Sequence, residues 1–160
     1  TLKLFITWTF GSLSSVGWEQ MSVMAPVIAC GILTALLLQK QLNILLLGKN
    51  YANGLGVSVT RLRLWIILAT ALLAGTSTAF TGPIAFIGIT MPHVARGLFG
   101  SPNHRIILPG SILCGAITML ICDLISQMPG MQGTLPINAV TALFGSPVIV
   151  WIILRNSYLK

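Results

Sequence analysis

The sequence predicts an all-α integral membrane protein with about five transmembrane helices, joined by short broken helices and by short helices on the cytoplasmic side. Three observations predict it. Of the 160 residues, 55% are hydrophobic and only 7% are charged, with mean hydropathy +0.92. Soluble domains carry about 25% charged residues, so this chain cannot cover a water-facing surface. The charges also leave long gaps: 20 residues between Glu19 and Lys40, 32 between Arg63 and Arg96, 17 between Arg105 and Asp123, and 31 between Asp123 and Arg155. About 20 apolar residues cross a bilayer core. The third observation is the distribution of basic residues, which follows from where the spans fall.

Two gaps are too long for one helix. The first is broken at Gly82-Pro83 and the second at 129–136, both rich in Gly or Pro, which interrupt helices. The spans are therefore 20–39, 63–81, 84–99, 106–127 and 137–154. With the C-terminus inside, Lys40, Lys49, Arg61, Arg63, Arg96, Arg105, Arg155 and Lys160 share the inner side, and only Lys3 is outside. That is the bias a multi-pass chain obeys. If 84–99 did not cross, four of these residues would join Lys3 outside, leaving no bias. Glu19 and Asp123 fall toward the outer side. Five crossings put residue 1 outside, so further spans are expected to precede this sequence.

Taken in order, residues 1–19 mix Trp8, Trp18, Phe5 and Phe10 with Gly and Ser. They read as a short outer helix and a turn at the aromatic belt. In the inner connection 41–60, Asn43 can cap one short helix, Gly48 can end it, and Asn50 to Leu55 can form a second turn closed by Gly56. Leu45 to Leu47 make it either a loop folded back on the spans or a docking knob for a cytoplasmic partner. Span 63–81 turns small after Leu73, which suits close helix packing or a Ser/Thr-lined path. Segment 81–105 gathers both histidines, three prolines and two arginines, and Pro92 is expected to kink its helix. Asp123 sits near an outer end, where a charge costs less than at the bilayer centre. Gly145-Ser146-Pro147 reads as a second interruption, within the last span. Cys30, Cys114 and Cys122 read as buried free thiols packing as small hydrophobes.

Little here suggests chemistry. His93 and His104 are eleven residues apart with no Cys or carboxylate at ligand spacing. Gly48-Lys49-Asn50 lacks the first glycine and the Ser/Thr of a phosphate loop. An ATP-driven motor would have to lie on another chain. The sequence calls for no catalytic residue, no metal ligand and no cofactor.

Four ordered motifs carry a resemblance. GPIAFIGITMPHVARGLFGSPNHRIILPGSILCGA is similar to the signature of the permease family of type II ABC importers for iron–siderophore complexes, haem and vitamin B12. WTFGSLSSVGWEQ, LNILLLGKNYANGLGVSVTRLR and LPINAVTALFGSPVIVWIIL resemble further segments of that family. Family members have ten spans, so this chain resembles the C-terminal half.

The resemblance implies a permease moving an iron–siderophore or haem complex, with vitamin B12 less favoured, across a bacterial cytoplasmic membrane. The C-terminus would be cytoplasmic. Its partners would be a second permease copy or similar half, two cytoplasmic ATPase subunits, a periplasmic or lipid-anchored substrate-binding protein and the lipid bilayer, with no nucleic acid. ATPase coupling falls to 41–57, through Leu42, Asn43, Leu46, Leu47, Gly48, Lys49, Ala52, Leu55 and Gly56. The broken span matches at Gly82, Pro83, Phe86, Gly88, Pro92, His93, Arg96, His104, Arg105 and Pro109. The outer mouth and pathway would use Asp123, Gln127, Leu135, Pro136, Thr141, Gly145 and Pro147, with the turn 128–136 under the binding protein. Two positions depart from the family pattern: Lys49 stands where an acid is usual, and Gln127 where an outer Arg is. The alternatives are a non-transporting membrane scaffold and an intramembrane enzyme using His93.

Overall fold

The structure, a computed structural model, describes residues 2–127 and 135–157. Among them every regular element is helical: α1 (Leu2–Thr9), α2 (Trp18–Leu37), α3 (Gln39–Leu45), α4 (Lys49–Gly54), α5 (Val59–Thr81), α6 (Ile87–Phe99), α7 (His104–Ser126) and α8 (Ile137–Ser157). Helices α2, α5 and α7 are 20, 23 and 23 residues long, with apolar windows of mean hydropathy 1.9, 1.6 and 2.0. At 1.5 Å per residue each reaches about 30 Å or more, the thickness of the hydrocarbon core. In α8 the apolar stretch Ile137–Ile152 is shorter.

Four of the helices run through a proline: Pro26 in α2, Pro92 in α6, Pro109 in α7 and Pro147 in α8. The expected interruption at Gly145-Ser146-Pro147 is therefore not there. One missing N–H removes one ladder bond, and packing against a neighbouring helix holds the rest. Here the neighbour is α6. A side chain at buried Gly145 would meet the Phe86 Cβ at 2.5 Å.

Packing uses small residues, as expected where the solvent is as apolar as the side chains. Helices α2 and α5 approach at Gly31, where a Cβ would lie 2.7 Å from the Leu73 Cγ. The end of α6 folds onto α7 at Gly110, where a Cβ would meet the Phe99 ring at 2.6 Å. Of the three cysteines, Cys122 is buried, Cys114 is half-buried and Cys30 is exposed. The expectation of three buried thiols fails at Cys30. It sits one position, about 100° of helix rotation, from the glycine that faces α5.

Gly31→Val is expected to overpack the α2–α5 crossing and cost about 1–3 kcal/mol. The thermal midpoint of the purified full-length permease should fall. Adding Leu73→Ala should recover part of the loss, because the two sites touch.

Candidate functional site

The helices are tied together by a polar knot at each end. The first knot surrounds the break between α5 and α6. Helix α5 stops at Thr81, and Gly82 takes φ +77. A side chain there would strike the Trp8 carbonyl and lie 3.1 Å from the Gly11 Cα. The requirement is thus for glycine twice over, by dihedral and by space. Residues 82–86 are not helical, and in lipid such backbone must be satisfied by protein. Asn138, at the start of α8, does most of this. Its Oδ1 accepts from the Ala85 N–H at 3.0 Å, and its Nδ2 donates to the Pro83 carbonyl at 2.6 Å and to the Thr9 carbonyl at 3.3 Å. The Ser12 N–H donates to the Thr81 carbonyl at 2.9 Å. Trp8 Nε1 donates to the Ala79 carbonyl at 3.4 Å.

Phe86 closes this break with φ 69 and ψ −41, and the Ile87 N–H bonds the Ala85 carbonyl at 2.9 Å across it. This is the γ-turn of positive φ, which is rare and strained. Strain of this kind persists only where neighbours over-determine it. Here the neighbours are Asn138 on Ala85 and Gly145 beneath the Phe86 side chain.

Beside this knot, Ser12, Ser14, Asp123, Ser126, Gln127 and Pro136 line an open cavity of about 140 Å³. Gln127 Nε2 donates to Asp123 Oδ2 at 2.8 Å. The Ser126 hydroxyl donates to the Leu135 carbonyl. The carboxylate is thus held by its own helix, one turn away. Residues 128–134 of the outer turn lie outside the described residues.

The second knot is at the opposite end. After α2, Leu38 is buried and the chain turns into α3. Gly48, at φ +106, separates α3 from α4, a backbone conformation that favours glycine. In α4, Ala52 is fully buried, which seats the hairpin. Leu46, Leu47, Tyr51 and Leu55 remain more than half exposed, and Lys49 is exposed beside them. Asn43 does not cap a short helix of its own, because α3 already begins at Gln39. Instead its side chain reaches the start of α7. Asn43 Oδ1 accepts from the His104 N–H at 2.8 Å and lies 2.8 Å from His104 Nδ1. Asn43 Nδ2 donates to Asn103 Oδ1 at 2.7 Å. Asn103 is the N-cap of α7 and also accepts from the Arg105 N–H at 3.0 Å.

Sequence-predicted residues divide between these places. Gly82, Pro83 and Phe86 join the first knot, with Leu135 and Pro136 at its edge. Asn43 and His104 form the second. Gly88 and Arg96 are exposed, and so are Arg105 and Pro109 at the start of α7. Pro92 is half-buried inside α6. His93 opens onto a groove between α6 and α8 that Val148, Trp151 and Ile152 also line. Thr141 and Gly145 do not line an open path. Both are buried, Thr141 completely, and Gly145 admits α6; on that helix Pro147 is the exposed one. Sequence reasoning missed Asn138 and Asn103. The only signal for Asn138 was an amide directly after Leu-Pro-Ile, at the start of an apolar span.

A bundle of long apolar helices, one of them broken and re-satisfied by its neighbours, with a short helical hairpin docked at one end, is the architecture of a membrane transport permease. The comparisons make the class specific. The sequence matches the FecCD transport family over residues 1–155, and the chain belongs to that family. It is 41% identical over 149 residues to the Fe(3+) dicitrate transport system permease protein FecC of Escherichia coli K12, covering 93% of this chain and 45% of that protein. It is 39% identical over 158 residues to the vitamin B12 import system permease protein BtuC of Vibrio cholerae, covering 97% and 46%. A solved structure described as an inward-facing metal-chelate type ABC transporter superposes with TM-score 0.88 at 30% identity, over 96% of this chain and 49% of that one. The chain spans about half the length of the relatives it matches.

Asn138→Ala should leave the Ala85 N–H and the half-buried Pro83 carbonyl without their side-chain partner. Amide exchange at Ala85 should rise in the full-length permease. Asn138→Asp keeps an acceptor and should restore protection at Ala85.

Proposed function

We propose that this chain is half of the membrane permease of an ATP-driven importer, and that ATP hydrolysis on separate subunits acts on it through the hairpin 41–57. Membership of the FecCD transport family over residues 1–155 supports the class. One observation carries the energy-input site. The hairpin α3–α4 offers Leu46, Leu47, Tyr51 and Leu55 to a partner while Ala52 anchors it, at the end of the bundle that also exposes Lys40, Arg61, Arg63, Arg96 and Arg105. By the positive-inside rule that end is cytoplasmic. Lys49, with its ammonium exposed among these leucines, calls for an ATPase groove that is neutral or acidic at that point.

Segment 84–99 crosses the membrane in this reading. Helix α6 is 13 residues, roughly 20 Å, short of a full crossing. The chain nevertheless runs from the first knot at Gly82 to the second at Asn103, because non-helical residues on both sides add length. The opposite end, with Asp123 and the cavity beside Gly11 to Ser14, faces the substrate-binding protein. Gln127 spends its amide on Asp123, so this side chain does not offer the binding protein the cation that an outer Arg would. Helix α8 leaves Leu143, Phe144, Val150 and Trp151 exposed, a face suited to the second permease copy and the central pathway.

The cargo we propose is a ferric chelate, an iron–siderophore or haem complex. The names of the FecC relative and of the metal-chelate type transporter support it, and the BtuC relatives keep vitamin B12 as the competing cargo.

In proteoliposomes holding the full-length permease, its ATPase and its binding protein, ATP should drive uptake of a labelled ferric chelate over cyanocobalamin. Leu46→Asp and Gly56→Asp should each lower uptake per ATP hydrolysed about tenfold, within the range of measured couplings between sites. Unchanged uptake in both variants would sink the hairpin assignment.

A further inference from the structure

The hairpin proposed to receive the ATPase stroke has to pass it to the rest of the bundle, and the second knot shows one place where it can. A helix start carries four N–H groups without intrahelical partners, usually satisfied by a local cap or by water. In α7 this task is divided. Asn103, the local cap, takes the Arg105 N–H. The His104 N–H goes to Asn43 Oδ1, sixty-one residues away on α3. The same carboxamide donates to the oxygen of the local cap. Because that Oδ1 is an acceptor, the contact at 2.8 Å to His104 Nδ1 requires the proton on Nδ1. One side chain thus joins α3 to the first turn of α7 through three polar contacts, each of which breaks if the hairpin slides. Immediately upstream, Phe99 at the end of α6 packs on Gly110 of α7, so a displacement of the α7 start is carried to α6 as well.

We infer that Asn43 is a positioning residue for coupling: its carboxamide completes the N-terminal cap of α7 and makes the hairpin α3–α4 move with the α6–α7 pair. The inference rests on the importer reading for its function, although the cap itself does not. Asn43 touches neither nucleotide nor cargo in this role and acts through His104 and Asn103. The chemistry required of position 43 is an oxygen acceptor facing the His104 N–H, with the Nδ2 donation to Asn103 as a second, separable contribution.

Two measurements on the full-length permease test this, one structural and one functional. The first is hydrogen–deuterium exchange of the His104 to Ile106 amides in Asn43→Ala and Asn43→Asp. Asn43→Ala should speed exchange about tenfold or more at His104, as loss of a net hydrogen bond implies, whereas Asn43→Asp, which keeps the acceptor, should stay close to the parent. The second is cargo imported per ATP hydrolysed in the complete complex. Asn43→Ala should lower this ratio about fivefold or more, and Asn43→Asp should restore most of it. A general folding or assembly defect lowers import and hydrolysis together and leaves the ratio unmoved, and that result would overturn the positioning role. Unaltered exchange in Asn43→Ala would overturn the cap. If the parent complex shows no ATP-dependent import at all, the importer reading falls while the exchange comparison still judges the lock between α3 and α7.

Discussion

Backbone polar groups cannot be left to lipid, and that constraint organises this molecule. A transmembrane chain that stays helical satisfies it automatically. This one leaves the helix at Gly82 and re-enters it at Ile87, and everything around that gap supplies what the gap lacks. Asn138 bonds both faces of it. The first segment returns through Ser12 and Trp8. The break is thus the point on which α1, α5, α6 and α8 converge, and it holds a strained turn at Phe86 that an isolated helix pair would not keep.

The opposite end solves a related problem by other means. There a short hairpin lies on the end of the bundle and has to be kept from coming loose. Ala52 seats it by burial, and Asn43 fastens it to α7 by completing that helix's cap. The two knots differ in character. The first joins four helices around a fixed glycine, with backbone–backbone bonds beside those of the Asn138 amide, and would resist movement. The second depends largely on one amide side chain, and suits a part that transmits displacement.

Helix packing between the ends relies on glycines that let large apolar side chains of the facing helix come close. Gly31, Gly110 and Gly145 each admit a side chain of the facing helix that a Cβ would exclude. The large hydrophobic residues mostly point outward, Leu33, Leu113, Leu124 and Leu143 among them. That is expected where the surroundings are lipid and further permease surface.

The sequence alone settled the class, because charge-free gaps of spanning length and a one-sided basic bias are properties of composition and order. Particular residues also spoke for themselves: Gly82-Pro83 announced the break, and Gly48 and Gly56 bounded the hairpin. Other readings were beyond it. Pro147 looked like a second break, because a helix breaker in isolation gives no sign of the neighbour that supports it; α6 against Gly145 does. Thr141 and Gly145 looked like pathway residues, because small polar side chains line pores and helix crossings alike, and only the position of α6 shows which applies. Asn43 and Asn138 were invisible as fasteners. Their partners lie 61 and 53 residues away, and a single amide carries no periodicity by which to find them. Charge-free gaps and helix breakers are written locally along the chain, whereas the contacts that hold a broken helix and a docked hairpin exist only once distant segments meet.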